Sequence, residues 1–549
     1  MEAGERRRQL RREAAEYYRG LRVPERMEEA LNELFLQRPE DLYGELANYF
    51  SKFSKAPVIC KLVGRKLLNG VGQPTLGVEI YCTVQNYEKR ICSTVMATHS
   101  QIPENALPEA IEADEKERND SVHTAVKWVN ESLNTMLRHL DPTDQCQADK
   151  MLGEYFANKV EEKKEIERQE KEKEEEEAAK ASPASSLYRP ASTPKQKKGV
   201  KPAKKVSAEV TPIPPAEPAE PVLCGSLAIG ATSLAIAKAG ATISHVPLYL
   251  HTALLKHHQE SPKEMTLPLP MVTVLNCEKN SPTKLKLVKE VMVIPPVELS
   301  LKQGIKRVLD IQKEITRLLE SSGKKLPTLK ISHLGCLTIG YDSLEQLLLQ
   351  MQIACNNIGL ELGTDVYLAI NCAAHGLMDY EKGKYEILTG TFKSPDEMVA
   401  MYVEMIDNFP FIIALIDPLR KEDREQWSSI CCALGSKCYL IAEDGATQIS
   451  KLKTDQNINI AKCSGVVLKY INQTKVSDLI ELTGILDGQR HITILGSPDG
   501  ESSDESLVDV AVGLGARFLK LGGLSRGERV AKYNRLLAIE EELAANGAL

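Results

Sequence analysis

The sequence predicts an α/β chain: a parallel barrel with its helices outside, preceded by a smaller α+β domain and a short helical hairpin. Three observations carry that reading. Strand-like apolar runs at 366–370, 411–416, 439–442, 466–468 and 492–495 alternate with helical stretches through the second half of the chain. That is the rhythm of parallel strands joined by crossover helices, and it puts catalytic groups at the C-terminal ends of the strands. Nearer the N-terminus, Leu76-Gly-Val-Glu-Ile-Tyr-Cys-Thr-Val84 is β-branched and alternates with period two, which reads as a strand. Finally, the composition between 161 and 221 shifts to mixed charges and then to Pro, Ala, Ser and Lys, which marks an insertion.

Taken in chain order, residues 1–56 hold the hairpin. Met27, Leu31, Leu34 and Phe35 recur at helical spacing; Arg38-Pro39 interrupts; Leu42, Leu46, Tyr49, Phe50 and Phe53 resume, with the proline expected at the start of the second helix. The small domain follows at 57–160. The insertion, 161–221, is expected to be disordered or a solvated helix, and its Ser182-Pro, Thr193-Pro and Thr211-Pro pairs suit proline-directed kinases as well as an ordinary linker. Residues 222–267 complete the small domain and 268–549 form the barrel.

Composition bounds the function classes. A chain of 549 residues with 42% hydrophobic residues can bury two or three cores. A net charge of −7 gives no basic footprint for nucleic acid. No apolar run approaches the roughly 18 residues of a membrane span, and the charged N-terminus lacks the apolar stretch of a signal peptide. The 13 cysteines form no Cys-x-x-Cys and read as reduced, mostly buried thiols. A cytoplasmic, cytoskeleton-associated location is expected.

Ser525-Arg-Gly-Glu-Arg-Val-Ala-Lys-Tyr-Asn-Arg-Leu-Leu-Ala-Ile-Glu-Glu-Glu-Leu543 resembles the closing helix of enolases. Leu519-Lys520-Leu-Gly-Gly and Val467-Leu-Lys469 are similar to two strand ends of that family, Asn69-Gly-Val-Gly-Gln-Pro-Thr75 to the turn opening its N-terminal domain, and Leu267-Pro-Leu-Pro-Met-Val-Thr-Val-Leu-Asn276 to its first barrel strand. The resemblance runs from about residue 62 to 543 outside the insertion, and is strongest to a divergent, sperm-associated group. It implies a TIM-type enolase barrel and phosphopyruvate hydratase chemistry, 2-phospho-D-glycerate to phosphoenolpyruvate and water, in glycolysis. Lys469 would be the base, and Glu290 and Lys520 would hold substrate. It also implies a magnesium cofactor, a homo-oligomer or assembly with partner enolase subunits, and the sperm flagellum.

The same comparison shows losses. The family's acid glutamate becomes Leu334, with His333 beside it as the one titratable neighbour; its metal carboxylates become Asn371, Ile416 and Glu443. One carboxylate plus one amide makes a weak or absent magnesium site, and Asp417 and Asp444 would need a register change to substitute. Pro498 stands where a phosphate-binding arginine stands, with Asp499 beside it, Asn280 where a histidine stands, and Ala97-Thr98-His99-Ser100 where a glycine-bearing lid closes. The hairpin resembles the dimerisation and docking module of protein kinase A regulatory subunits and Dpy-30-like proteins, which accepts an anchoring helix; a local extension of the small domain is the other reading. Two functions stay open: an enolase with a degenerate metal and acid site, and a catalytically weak or inactive enolase-fold scaffold in the flagellar fibrous sheath.

Overall fold

The structure, a computed structural model, describes residues 2–98, 107–181, 213–216, 222–258, 260, 264–277, 283–321, 330–443, 453–454, 457–458, 460–470 and 472–547. The Ser182, Thr193 and Thr211 sites, Asn280, Asp444 and the His99-Ser100 half of the lid lie outside them.

The first 56 residues hold three helices, one more than the hairpin foreseen: α1 (Glu2–Gly20), α2 (Val23–Gln37) and α3 (Leu42–Ser51). Proline does not start α3. Arg38 ends α2 in the left-handed region at φ 48°, and Asp41 caps α3 by accepting the Gly44 N–H at 2.9 Å, which satisfies an otherwise orphan donor. Between α2 and α3 only part of the apolar stripe is covered. Ala30 and Leu34 are buried, while Met27, Leu31, Phe35 and Leu36 stay exposed.

The small domain is an antiparallel sheet, β1 (Val58–Leu68), β2 (Pro74–Val84) and β3 (Tyr87–Val95), backed by α4 (Pro108–Trp128), α5 (Gln145–Ala181) and α6 (Leu227–Ile243). α6 is apolar all round and lies in the core, as such a helix must; α7 (Leu248–Lys256) leads to the barrel. Residues 161–181, expected to be disordered or a solvated helix, continue α5 as one helix. Glu–Lys and Glu–Arg pairs three and four residues apart, such as Lys164–Glu161 and Arg168–Glu165, line it. The far end of the insertion is docked: Ile213 abuts Gly383, and the Pro214 carbonyl accepts from Arg420 at 2.7 Å. Arg420 is fully buried, with Asp423 taking its other donors at 2.9 Å.

The barrel closes from eight strands: β4 (Leu269–Asn276), β5 (Glu290–Ile294), β6 (Tyr367–Asn371), β7 (Ile412–Ile416), β8 (Tyr439–Ala442), β9 (Gly465–Lys469), β10 (Ile492–Gly496) and β11 (Phe518–Gly522), with β11 pairing back onto β4. Outside lie α8 (Leu301–Ser321), α9 (Leu344–Asn357), α10 (Pro395–Asn408), α11 (Arg424–Leu434), α12 (Val476–Gly488), α13 (Ser506–Leu514) and α14 (Gly527–Ala545). The expectation of an all-parallel barrel is corrected at β5, which runs antiparallel to both β4 and β6. The cause is the connection. The described residues of the 277–289 connection carry no helix, and a connection that returns the chain parallel usually needs one.

Small domain and barrel are joined by buried polar bonds. Asp149 of α5 accepts from Ser233 Oγ at 2.6 Å and from the Ser477 N–H at 3.0 Å, so a side chain of one domain caps α12 of the other. Gly230 donates to the Asn472 carbonyl at 3.0 Å, and a Cβ at Gly230 would sit 2.4 Å from that oxygen. Thr98 and Gly500 form an antiparallel bridge.

Candidate active site

The strand ends bring together Glu290, which opens β5, Asn371 at the end of β6, Glu443 just past β8, Lys469 at the end of β9, and Lys520 in β11. All five are buried. Lys469 Nζ lies 2.9 Å from Glu443 Oε1; Lys520 Nζ lies 3.2 Å from Glu443 Oε2 and 3.1 Å from Glu290 Oε1. Glu290 is completed by Thr273 Oγ1 at 3.1 Å and by the Asn371 amide N–H at 2.8 Å.

All four charged groups are held ionised. For both lysines burial works against the ammonium, but Glu443 with Asp499 at Lys469, and Glu290 with Glu443 at Lys520, outweigh it and raise the pKa. Burial likewise works against the carboxylates, yet Lys469 and Lys520 lower Glu443, and Lys520 lowers Glu290. A base must be free of its proton to act, so Lys469 becomes one only when a ligand separates it from Glu443.

The replaced positions are as definite. Ile416 is fully buried in the apolar interior of the barrel with Met271, Met292, Ala414, Ile441 and Phe518. Asp417 does not take over its place: with φ at 46°, its Oδ1 accepts the Glu443 N–H at 2.7 Å. Leu334 is buried in the turn between the short strands Lys330–Ile331 and Leu337–Thr338, its carbonyl accepting from the Gly523 N–H at 2.7 Å. His333 turns toward the loop after β10, where Nε2 stands 3.6 Å from Asp499 Oδ1. Burial opposes the Asp499 charge, but His333 and Lys469 hold its carboxyl well below the usual range. A carboxylate at that place repels phosphate.

Sequence reasoning missed the group that fixes these loops. Arg529 of α14 is buried and donates to the carbonyls of Leu521 at 3.0 Å, His333 at 3.2 Å, Asp499 at 3.3 Å and Pro498 at 3.4 Å. Beside it, Lys532 reaches the Ser502 carbonyl at 2.6 Å and Glu501 at 3.0 Å, and the Tyr533 hydroxyl donates to the Gly522 carbonyl at 2.6 Å. The 529, 532, 533 spacing marks one helix face, a signal the closing-helix motif contained.

The residues do not fit magnesium, which takes hard anionic oxygens in octahedral geometry. Glu290 and Glu443 are each committed to ammonium groups, Asn371 directs its N–H at Glu290 while its Oδ1 accepts from the Ala373 N–H at 3.0 Å, and the third position is Ile416. Among the described residues, no group of three or more His, Cys, Asp or Glu could hold a metal ion.

Comparison with known proteins gives one family model, the enolase C-terminal TIM barrel domain, matching residues 264–549. Enolase 4 of Homo sapiens is 52% identical over 559 residues, covering 98% of this chain and 89% of that protein. Enolase 4 of Mus musculus is 50% identical over 558 residues, 98% of this chain and 90% of the relative. Enolase 4 of Danio rerio is 40% identical over 538 residues, 97% and 91%.

Proposed function

The chain belongs to the enolase family, and from that premise we propose that it is a phosphopyruvate hydratase of attenuated activity, interconverting 2-phospho-D-glycerate with phosphoenolpyruvate and water. The observation that carries the reading is the convergence of Lys469, Lys520, Glu290 and Glu443 at one buried mouth. A substrate carboxylate that pairs with Lys520 and draws Glu443 away from both lysines would remove the charge that keeps Lys469 protonated; once its ammonium proton has passed to solvent, the neutral Lys469 amine would take the proton from the adjacent carbon. The two ammonium groups would then carry the stabilisation of the developing negative charge. Leu334 has no proton for the departing hydroxyl, and each 1.4 kcal/mol of missing transition-state stabilisation costs about tenfold in rate.

A second reading, favoured by Leu334 and Ile416, is an enolase-fold scaffold in which the mouth is structural. In either case α2 and α3 would tether the chain to an anchoring helix, an inference from the exposed Leu31 and Phe35, and the family resemblance alone suggests the sperm flagellum as the place. Purified full-length protein, freed of host enolase, should form phosphoenolpyruvate slowly, and Lys469→Ala should form none. No turnover in the unaltered protein leaves the scaffold.

A further inference from the structure

We propose that the Lys520 ammonium, rather than a divalent cation, holds the carboxylates of this mouth together, so that the barrel keeps them paired without metal. The inference rests on the family reading of the mouth and holds whether or not substrate is turned over.

Lys520 Nζ bridges Glu290 and Glu443, carboxylates from β5 and β8 that approach each other from separate strands, at 3.1 and 3.2 Å. Holding two such carboxylates together is what a cation would do there, and a buried pair of like charges without one is strongly unfavourable. The charges already close. Glu290, Glu443 and Asp499 contribute three negative charges and Lys469, Lys520 and the neighbouring Lys289 three positive ones, so an added divalent ion would leave two positive charges uncompensated in a largely buried site. The neutral neighbours agree with this balance. Ile416 lies in the apolar interior, and the Asn371 N–H points at the Glu290 oxygen nearest Lys520. A carboxylate at either place would upset the neutrality that Lys520 provides.

The test is thermal unfolding of the full-length protein in chelator and in millimolar magnesium. The unaltered protein should shift by less than about 1 °C, whereas a site occupied at a hundred times its dissociation constant would gain roughly 3 °C. Lys520→Met should melt lower in chelator and stay low in magnesium, because Ile416 and Asn371 offer the ion no anionic oxygen and Lys469 still holds Glu443. A variant that folds in neither condition supports the same reading. A magnesium gain of roughly 3 °C in the unaltered protein, or a Lys520→Met chain as stable in chelator as the unaltered protein, overturns the proposal. Turnover plays no part in these measurements, so they fail or succeed separately from the hydratase assay.

Discussion

The barrel mouth and the N-terminal helices are opposite cases of how a chain deals with groups that water or apolar surroundings would punish. At the mouth every charge is answered from within: Glu443 by Lys469 and Lys520, Glu290 by Lys520, Thr273 and Asn371. On α2 and α3 the hairpin covers Ala30 and Leu34 and leaves Leu31, Phe35 and Leu36 in water. A region satisfied internally resists substitution through stability. A region left unsatisfied spends its side chains on association.

The largest effect should come at the mouth. Lys469→Ala should abolish turnover while the fold survives, since Glu443 keeps Lys520 as a partner; phosphoenolpyruvate formation and circular dichroism together check it, and unchanged turnover would sink the base assignment. Next is Arg529→Met. Four carbonyls lose their donor in the interior, and at about 1 kcal/mol or more for each unsatisfied group the loss should be roughly 3–5 kcal/mol in urea denaturation. A loss under about 1 kcal/mol would mean the loops hold themselves.

At the other region, Leu31→Asp should leave stability unchanged and weaken self-association or anchoring-helix binding by roughly a hundredfold, as for an interface hot spot. Sedimentation and titration with an amphipathic anchoring peptide measure it. Leu31 is a cleaner probe than the half-buried Leu46, whose replacement would also disturb the hairpin. A full-length protein that is monomeric and ignores the peptide returns α2 and α3 to a local extension.

Acid sharpens the contrast. The folded pKa values of Glu290 and Glu443 lie below the ordinary 4.5, so folding releases protons these groups would hold when unfolded. Their stabilisation is complete above that value and is lost as pH falls through the depressed folded values. Denaturation midpoints from neutral pH to below 4 should therefore drop, and Lys520→Met should flatten the drop. The smallest effect concerns thiols. The exposed Cys146, Cys224 and Cys432 should label first with a thiol reagent, ahead of Cys82, Cys277, Cys355 and Cys463, which burial pushes up to about 12.

Much of this was legible in the sequence because strand-end lysines and the closing helix are local signals. The barrel rhythm follows from stretches of a few residues, whereas Lys469, Lys520 and Glu290 were singled out by the resemblance of their flanking motifs to enolases. The antiparallel β5 was not legible, because strand direction belongs to the connection and period two is the same either way. Nor were the ties between distant segments, such as Asp149 to Ser477 or Arg420 to Pro214. Those depend on which backbone groups folding leaves without partners. α1 was missed because a charged helix has no apolar stripe to announce it.

Asp149 carries a last consequence. Its carboxylate completes hydrogen bonds in α12 that the barrel cannot complete alone, and Ser233, which holds it, also accepts the Val476 N–H at 3.0 Å. Neither domain can therefore lose its structure without stripping partners from the other's interior. The two should melt as one cooperative unit, seen as a single calorimetric transition, and a pull applied at the N-terminal helices should be shared with the barrel rather than peel the small domain away first.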